Sequence, residues 1–283
     1  MALDLDLDKI ENHCLSHTKV REWVREIMLF DRVDSTNRVA LDMASQGLPS
    51  GVVILAEAQE KGKGRLGRAW FSPRGVNLYF SLLLRPYQPV RDFPLFSLAT
   101  SVALIEAIHR VTGLAVQIKW PNDIVLNDRK LAGILLESEV RGEQTPPLVV
   151  GVGVNVNIDL AGFPPELQKI ATSLQIALGH PVDRTDLLIE IFNRLAEQYR
   201  LVEDGNGKTL LIQAVRQHCQ TLGRRVRVQT ARQEFEGWAE DLQEDGALLI
   251  RMGDGNQRRI LVGDVTHLRE VEDPSAQGRI APA

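Results

Sequence analysis

Between Gln59 and Trp70 the chain reads Gln-Glu-Lys-Gly-Lys-Gly-Arg-Leu-Gly-Arg-Ala-Trp, with glycines set among cations. Lys61, Lys63, Arg65 and Arg68 concentrate positive charge, and Gly62, Gly64 and Gly67 let the backbone approach a ligand closely. Such a loop can close over a phosphate-bearing ligand and neutralise it. Residues 62–67 also fit the spacing G-x-G-x-x-G. A dinucleotide fold needs a helix directly after those glycines and, further on, an acidic residue for the ribose. Here Ala-Trp-Phe-Ser-Pro follows, which is no helix start. A P-loop is excluded, because no Gly-Lys-[Ser/Thr] follows. Taken alone, the stretch could equally be a solvated basic surface loop.

A second constellation is Lys119-Trp120-Pro121-Asn122-Asp123. Pro121 cannot continue a central ladder, so Asn122 and Asp123 are displayed where a strand stops. A carboxylate beside a carboxamide is a hard oxygen pair, suited to magnesium carrying phosphates; an Asx turn satisfying its own backbone is the simpler alternative. Next comes Arg129-Lys130-Leu131-Ala132-Gly133-Ile134-Leu135, where Lys130 opens an apolar strand and can project its amine into a pocket. Gly133 marks a bulge or a close ligand approach. Gly151-Val152-Gly153-Val154-Asn155 repeats the theme of small residues in a strand followed by an amide.

The elements that must position these groups mix strands and helices. Ser35 is placed to cap a helix from about Thr36 to Gln46. Buried strands are expected at 51–58 and 77–84, and a long buried helix at 95–112 closed by Gly113. Further strands are expected at 115–120, at 124–126 and 131–138 about an Asn127-Asp128 turn, and at 148–158. A helix over 183–202 has Asp183 as its cap, and another covers 208–220. Short β runs at 225–230, 234–242, 246–252 and 258–265 predict a small SH3-like barrel. The fold expected is α+β: a mixed sheet with helices over 29–221, then the small β domain over 222–270. Residues 1–28 form an N-terminal extension whose Leu-Asp alternation fits an edge strand or a frayed end, and 271–283 a disordered tail.

Composition narrows the classes. The 283 residues carry 33 basic and 37 acidic side chains, a net charge of −4 that argues against sequence-independent wrapping of nucleic acid. No uninterrupted apolar run has membrane-spanning length, and the N-terminus lacks the pattern of a secretory signal. Cys14 and Cys219 form neither a disulfide framework nor a zinc motif, so a reducing cytoplasm is the expected compartment.

Together, Asp34-Ser35-Thr36-Asn37, Glu57-Ala58-Gln59, the loop 62–68, Lys119 to Asp123, Arg129 to Leu135 and Gly151 to Asn155 resemble the biotin protein ligases in order and spacing, and the C-terminal β domain is similar to theirs. The resemblance implies that Ser35, Thr36, Asn37 and Gln59 contact biotin. It implies that Gly62, Lys63, Gly64 and Arg65 cover biotin and the adenylate phosphate, with Gly133 beside them. Lys130 and Arg65 would be catalytic, with Lys130 between the biotin carboxylate and the phosphate. Arg68, Trp70, Asn122, Asp123 and Asn155 would serve the nucleotide, and Asp123 would hold magnesium. One departure is Lys63, where the family usually has arginine; the charge is kept and the bidentate fork is lost.

The activity so implied uses ATP and Mg2+ to activate biotin as biotinyl-5′-AMP. The biotinyl group then passes to a lysine of the biotin carboxyl carrier protein of acetyl-CoA carboxylase. The residues before the main domain leave no room for the helix-turn-helix that some family members carry, so no specific DNA binding is expected. No membrane partner is expected, and a homodimer stays open because the family contains monomers and dimers. A lipoate or octanoate ligase shares the architecture and the lysine but takes an acyl chain. A nucleic-acid-binding module using the basic loop is disfavoured by the net charge.

Overall fold

A computed structural model describes residues 5–139, 146–204, 207–230, 233–261 and 263–268. Strands β1 (Glu26–Phe30), β2 (Val52–Ala56), β3 (Leu78–Leu84), β4 (Gln117–Lys119), β5 (Asp123–Leu126), β6 (Arg129–Glu137) and β7 (Leu148–Val154) form one mixed sheet. Its order is β1-β2-β3-β7-β6-β5-β4; β1 and β2 run parallel and every other neighbour is antiparallel. β2, β3 and β7 are buried along their whole length, which is why they read as continuous apolar runs. The Asn127-Asp128 turn has both residues at positive φ, 51° and 59°, as a two-residue hairpin requires.

Helix α1 (Leu7–Ser16) and the short α2 (Thr18–Arg21) precede the sheet; α3 (Thr36–Ser45) follows β1. The long α4 (Phe93–Thr112) lies within the core against α6 (Arg184–Glu203) and α7 (Gly207–His218), and α5 (Leu174–Leu178) is a single short turn. By length and composition α4 would cross a bilayer, but most of it is buried inside the protein and it serves as a core helix. Gly113, at φ 73°, ends it as the sequence predicts. Asp183 caps α6 by accepting from the backbone N–H groups of Thr185 and Asp186, at 2.8 and 3.0 Å.

The N-terminal extension departs from the expectation of an edge strand or frayed end. Asp6 caps α1, accepting from Lys9 N at 2.9 Å, and Leu5, Ile10 and Cys14 are buried in the main core. The Leu-Asp alternation ends in a helix cap, and the spacing of Ile10 and Cys14 is helical. The segment is tied in from both sides. Leu5 N donates to Glu57 Oε1 (3.2 Å), and Glu57 pairs with Arg184 (2.7 Å) where both side chains are almost wholly buried.

The C-terminal module is a five-stranded antiparallel sheet, order β11-β10-β9-β8-β12, from β8 (Arg225–Gln229), β9 (Glu234–Leu242), β10 (Leu248–Arg251), β11 (Gln257–Ile260) and β12 (Asp264–His267). The single run expected at 258–265 is two strands, because β11 pairs with β10 and β12 crosses to pair with β8. The expected tail at 271–283 lies outside the described residues.

Trp120 joins the two sheets. Its backbone N–H donates to Thr221 Oγ1 (3.0 Å) and its indole Nε1 to Gly246 O (3.0 Å). Thr221 Oγ1 also meets His267 Nε2 at 3.0 Å. Having accepted from Trp120, the hydroxyl is free to donate its own proton, which suits a neutral imidazole. Burial pushes the His267 pKa down to about 4, with Lys119 and Arg224 adding to the shift and Asp128 opposing it. The folded protein therefore holds His267 neutral, while the unfolded chain takes up a proton near its ordinary value of 6.5. Stability carried by this group is full above about 6.5 and falls as pH drops toward 4. The loss of melting temperature between pH 7.5 and pH 5 should be smaller in His267→Gln than in the parent chain; equal losses would refute this.

Candidate active site

The basic loop is a miniature hairpin. Trp70 N donates to Gly62 O (2.8 Å), Gly64 N to Arg68 O (2.7 Å), and Lys63 bridges to Ala69. Leu66 and Gly67 turn the tip at positive φ, 55° and 73°. Gly62 is excluded from the cavity wall; a Cβ there would stand 2.5 Å from Trp70 O and 2.7 Å from Ser72 Oγ. A side chain there would block the close approach of the hairpin's two ends.

A cavity of about 450 Å³ lies under this hairpin. Ser35, Thr36, Asn37, Gln59, Lys63, Gly64, Arg65, Arg68, Trp70, Asn122, Asp123, Lys130, Gly133 and Asn155 all line it. Segments as far apart in sequence as Ser35 and Asn155 thus converge on one space, which has two chemically distinct ends.

One end is neutral and polar. It sits at the N-terminus of α3, where Ser35 holds the cap position but its hydroxyl makes no capping bond. Gln59 does that work instead, its Oε1 accepting from Thr36 N (2.9 Å) and Thr36 Oγ1 (3.1 Å), while its Nε2 donates to Ser72 Oγ (3.0 Å). Asn37 Nδ2 donates to Glu137 Oε2 (2.8 Å), and Asn37 Oδ1 lies 2.6 Å from Ser81 Oγ. Ser81 and Glu137 were not found by sequence reasoning. Each lies in a strand, and only the pairing of β3, β7 and β6 brings them to α3.

The middle is floored by glycines. Gly133 and Gly153 are directly paired across β6 and β7, and the Trp70 indole lies over them. A Cβ on Gly153 would stand 2.5 Å from the indole, and one on Gly133 3.0 Å. Asn155 lines the cavity while largely buried: its Nδ2 donates to Thr172 O (3.0 Å), and its backbone N–H donates to Leu131 O (2.9 Å). Phe163, Leu167 and Ile170 supply an apolar wall opposite Lys130, joined to it by Lys130 N donating to Ile170 O (2.8 Å).

The other end is cationic. Lys130 Nζ is 2.7 Å from Asp123 Oδ1 and 5.4 Å from the centre of the Trp70 ring. Arg65 donates from Nη1 to Asn122 Oδ1 (2.8 Å) and from Nη2 to Gly263 O (3.0 Å). Arg68 pairs with Asp264. Burial pulls the Arg65 pKa below its ordinary value, while Asp264 and Asp123 raise it and Arg68 lowers it further. Asp264 carried no sequence signal, because it comes from the C-terminal module. The arrangement can hold a slim ligand with a neutral hydrogen-bonding head, and can offset anionic charge where the ligand's other end lies.

A mixed sheet carrying such a cavity, followed by a small β module, is the architecture of the ligases that attach acids to proteins. Residues 29–155 match the biotin/lipoate A/B protein ligase family, and residues 221–268 match the biotin protein ligase C-terminal domain. The biotin–[acetyl-CoA-carboxylase] ligase of Paracoccus denitrificans is 37% identical over 236 residues, covering 80% of this chain and 94% of that protein. The bifunctional ligase/repressor BirA of Bacillus subtilis is 32% identical over 231 residues, covering 82% of this chain and 71% of that one. The solved biotin protein ligase from Aquifex aeolicus in complex with biotin and ATP superposes with a TM-score of 0.73 at 28% identity, covering 87% of this chain and all (100%) of that one. The chain belongs to the biotin protein ligase family.

A Cβ on Gly151 would stand 1.9 Å from Asn37 Oδ1, and Asn37 is held on both sides by Ser81 and Glu137. Gly151→Ala should therefore lower stability by about 1–3 kcal/mol. Asn37→Ala should cost less in that background than in the parent chain, because it removes the clash. Chemical denaturation of the four variants checks this; additive losses would refute it.

Proposed function

We propose that this protein is an ATP-dependent ligase that activates biotin as biotinyl-5′-AMP and transfers the biotinyl group to a specific lysine of the biotin carboxyl carrier protein of acetyl-CoA carboxylase. The observation that carries the reading is the division of one cavity into a neutral hydrogen-bonding end and a cationic end. Biotin has the matching form, with a cyclic urea at one end and a carboxylate at the other. Ser35, Thr36, Asn37 and Gln59 suit the urea, and the glycine floor leaves room for the chain.

At the cationic end a carboxylate must approach a triphosphate. The carboxylate oxygen attacks the α-phosphorus, the bond to the bridging oxygen breaks, and pyrophosphate leaves. Lys130, Arg65, Arg68 and Lys63 offset the repulsion between the two anions and the charge that builds in the transition state. Arg65 acts from a largely desolvated position, where each contact to a phosphate oxygen is stronger than in water. The hairpin covers the mixed anhydride and keeps water from it. Asp123, beside Lys130, is a carboxylate that fits a magnesium ion; the ion would supply Lewis-acid stabilisation of the phosphates and keep mainly phosphate and water oxygens as ligands. The acceptor lysine is the nucleophile of the second step, so the chain needs no nucleophile of its own.

The lipoate alternative is weaker on physical grounds. A dithiolane offers no strong hydrogen-bonding groups to exchange with the Asn37–Ser81–Thr36–Gln59 network, whereas a urea can donate to and accept from it. We also place the reaction in the cytoplasm. Cys14 and Cys219 are free and buried, with the Cys14 thiol pushed up to about 12 by burial, and neither calls for an oxidising compartment.

ATP–pyrophosphate exchange with magnesium should appear with biotin and not with lipoate; exchange with lipoate alone would overturn the substrate. Lys130→Ala should reduce exchange by about 100-fold or more with little change in melting temperature. Arg65→Ala should abolish exchange or release free adenylate; an unchanged rate and an unchanged intermediate lifetime would refute its role.

A further inference from the structure

Asn37 lines the reaction cavity, but the two side chains that hold its amide are not among the described residues lining that cavity. Glu137 faces a separate cavity of about 310 Å³ beside α4, and Ser81 is fully buried. Neither is placed to touch a ligand in the reaction cavity, yet together they decide what Asn37 shows to one.

The directions of the protons follow from what each group can do. Carboxylates and backbone carbonyls only accept. Asn37 Nδ2 lies 2.8 Å from Glu137 Oε2 and 3.3 Å from Leu135 O, so two acceptors hold the amide nitrogen to that side. The bond to Glu137 is the shorter of the two and the charge-assisted one. Asn37 Oδ1 then faces Ser81 Oγ at 2.6 Å, and because an amide oxygen cannot donate, Ser81 does. Ser81 has no second proton for Thr36 Oγ1, 2.7 Å away. Thr36 therefore donates, either there or to Gln59 Oε1 at 3.1 Å. Either way its proton is spent inside the network. What Asn37 Oδ1 and Thr36 Oγ1 keep for a ligand is lone pairs. Oδ1 is also within reach: it lies over Gly151, a residue of the cavity wall, where a Cβ would overlap it.

We infer that Glu137 is a specificity-determining positioning residue. Acting through Asn37, it makes this end of the cavity an acceptor surface and so selects a ligand head whose ring nitrogen carries a proton. The inference rests on the biotin ligase reading, in which that head is the cyclic urea. A cyclic carbamate of the same shape, with a ring oxygen in place of one N–H, would set lone pairs against lone pairs.

Pyrophosphate exchange by the full-length enzyme, with biotin and with the two carbamate isomers, tests this. In the parent, at least one isomer should lose about 100-fold or more in kcat/KM relative to biotin. A loss below about threefold for both would overturn the inference without any variant. Glu137→Leu should raise the KM for biotin about tenfold while kcat and the KM for ATP stay within about twofold. It should also cut the discrimination against that carbamate by about fivefold or more, because Asn37 is then free to turn its nitrogen toward the ring oxygen. Glu137→Gln keeps an acceptor and should restore both values. Ser81→Ala disturbs the same network but leaves both acceptors on the Asn37 nitrogen, so its discrimination should stay within about twofold of the parent. An unchanged KM for biotin in Glu137→Leu would overturn the inference. So would a raised KM with unchanged discrimination, the result expected of a purely structural role. Absence of exchange in the parent enzyme would instead remove the ligase reading.

Discussion

Cations do not gather without a reason, and the site depends on how their mutual repulsion is managed. Two unit charges about 6 Å apart in a partly buried site repel by roughly 3 kcal/mol. The fold meets this by giving three of the cations an oxygen: Asp123 to Lys130, Asn122 and Gly263 O to Arg65, Asp264 to Arg68. These oxygens stand where a ligand's anionic oxygens would compete for the same donors. A phosphate or carboxylate can then exchange places with groups already held in register, so that much of the ordering cost is met in folding.

Those oxygens come from separate parts of the chain. Asn122 precedes β5 and Asp123 opens it, while Gly263 and Asp264 belong to the C-terminal module. The shape of the basic loop is therefore a tertiary property. Its glycines permit the turn, and the partners of Arg65 and Arg68 select the conformation. The neutral end follows the opposite rule. Its groups are saturated by one another, with Gln59 capping α3 and Glu137 and Ser81 holding Asn37, so a ligand without matching groups gains little by displacing them.

What could be read from the sequence follows from the range of the interactions. The Asn127-Asp128 hairpin, the Gly113 stop and the Asp183 cap are local, and each stands where its residues predict. Motif residues from Ser35 to Asn155 were legible as a set because their order and spacing resemble a family. Their partners were not. Ser81 and Glu137 reach Asn37 only through sheet pairing, and Asp264 reaches Arg68 across 196 residues. Two local readings failed for physical reasons. The alternating Leu-Asp start hid a helix cap, and Ser35 has the cap position while a glutamine 23 residues away from Thr36 makes the bond.

Trp120 explains why the C-terminal module belongs to the site. Its backbone N–H is held by Thr221 and its indole by Gly246, while Gln220 N donates to Ile118 O two residues earlier (2.9 Å). Asn122 and Asp123 follow at once, so the module's seating fixes where they stand. The same module holds both arginines of the loop from the other side. A small displacement of one β module would therefore move the carboxylate, the carboxamide and the guanidinium groups together. That coupling is a physical reason for a small β module to accompany the sheet: it acts as the frame on which the cationic end is assembled.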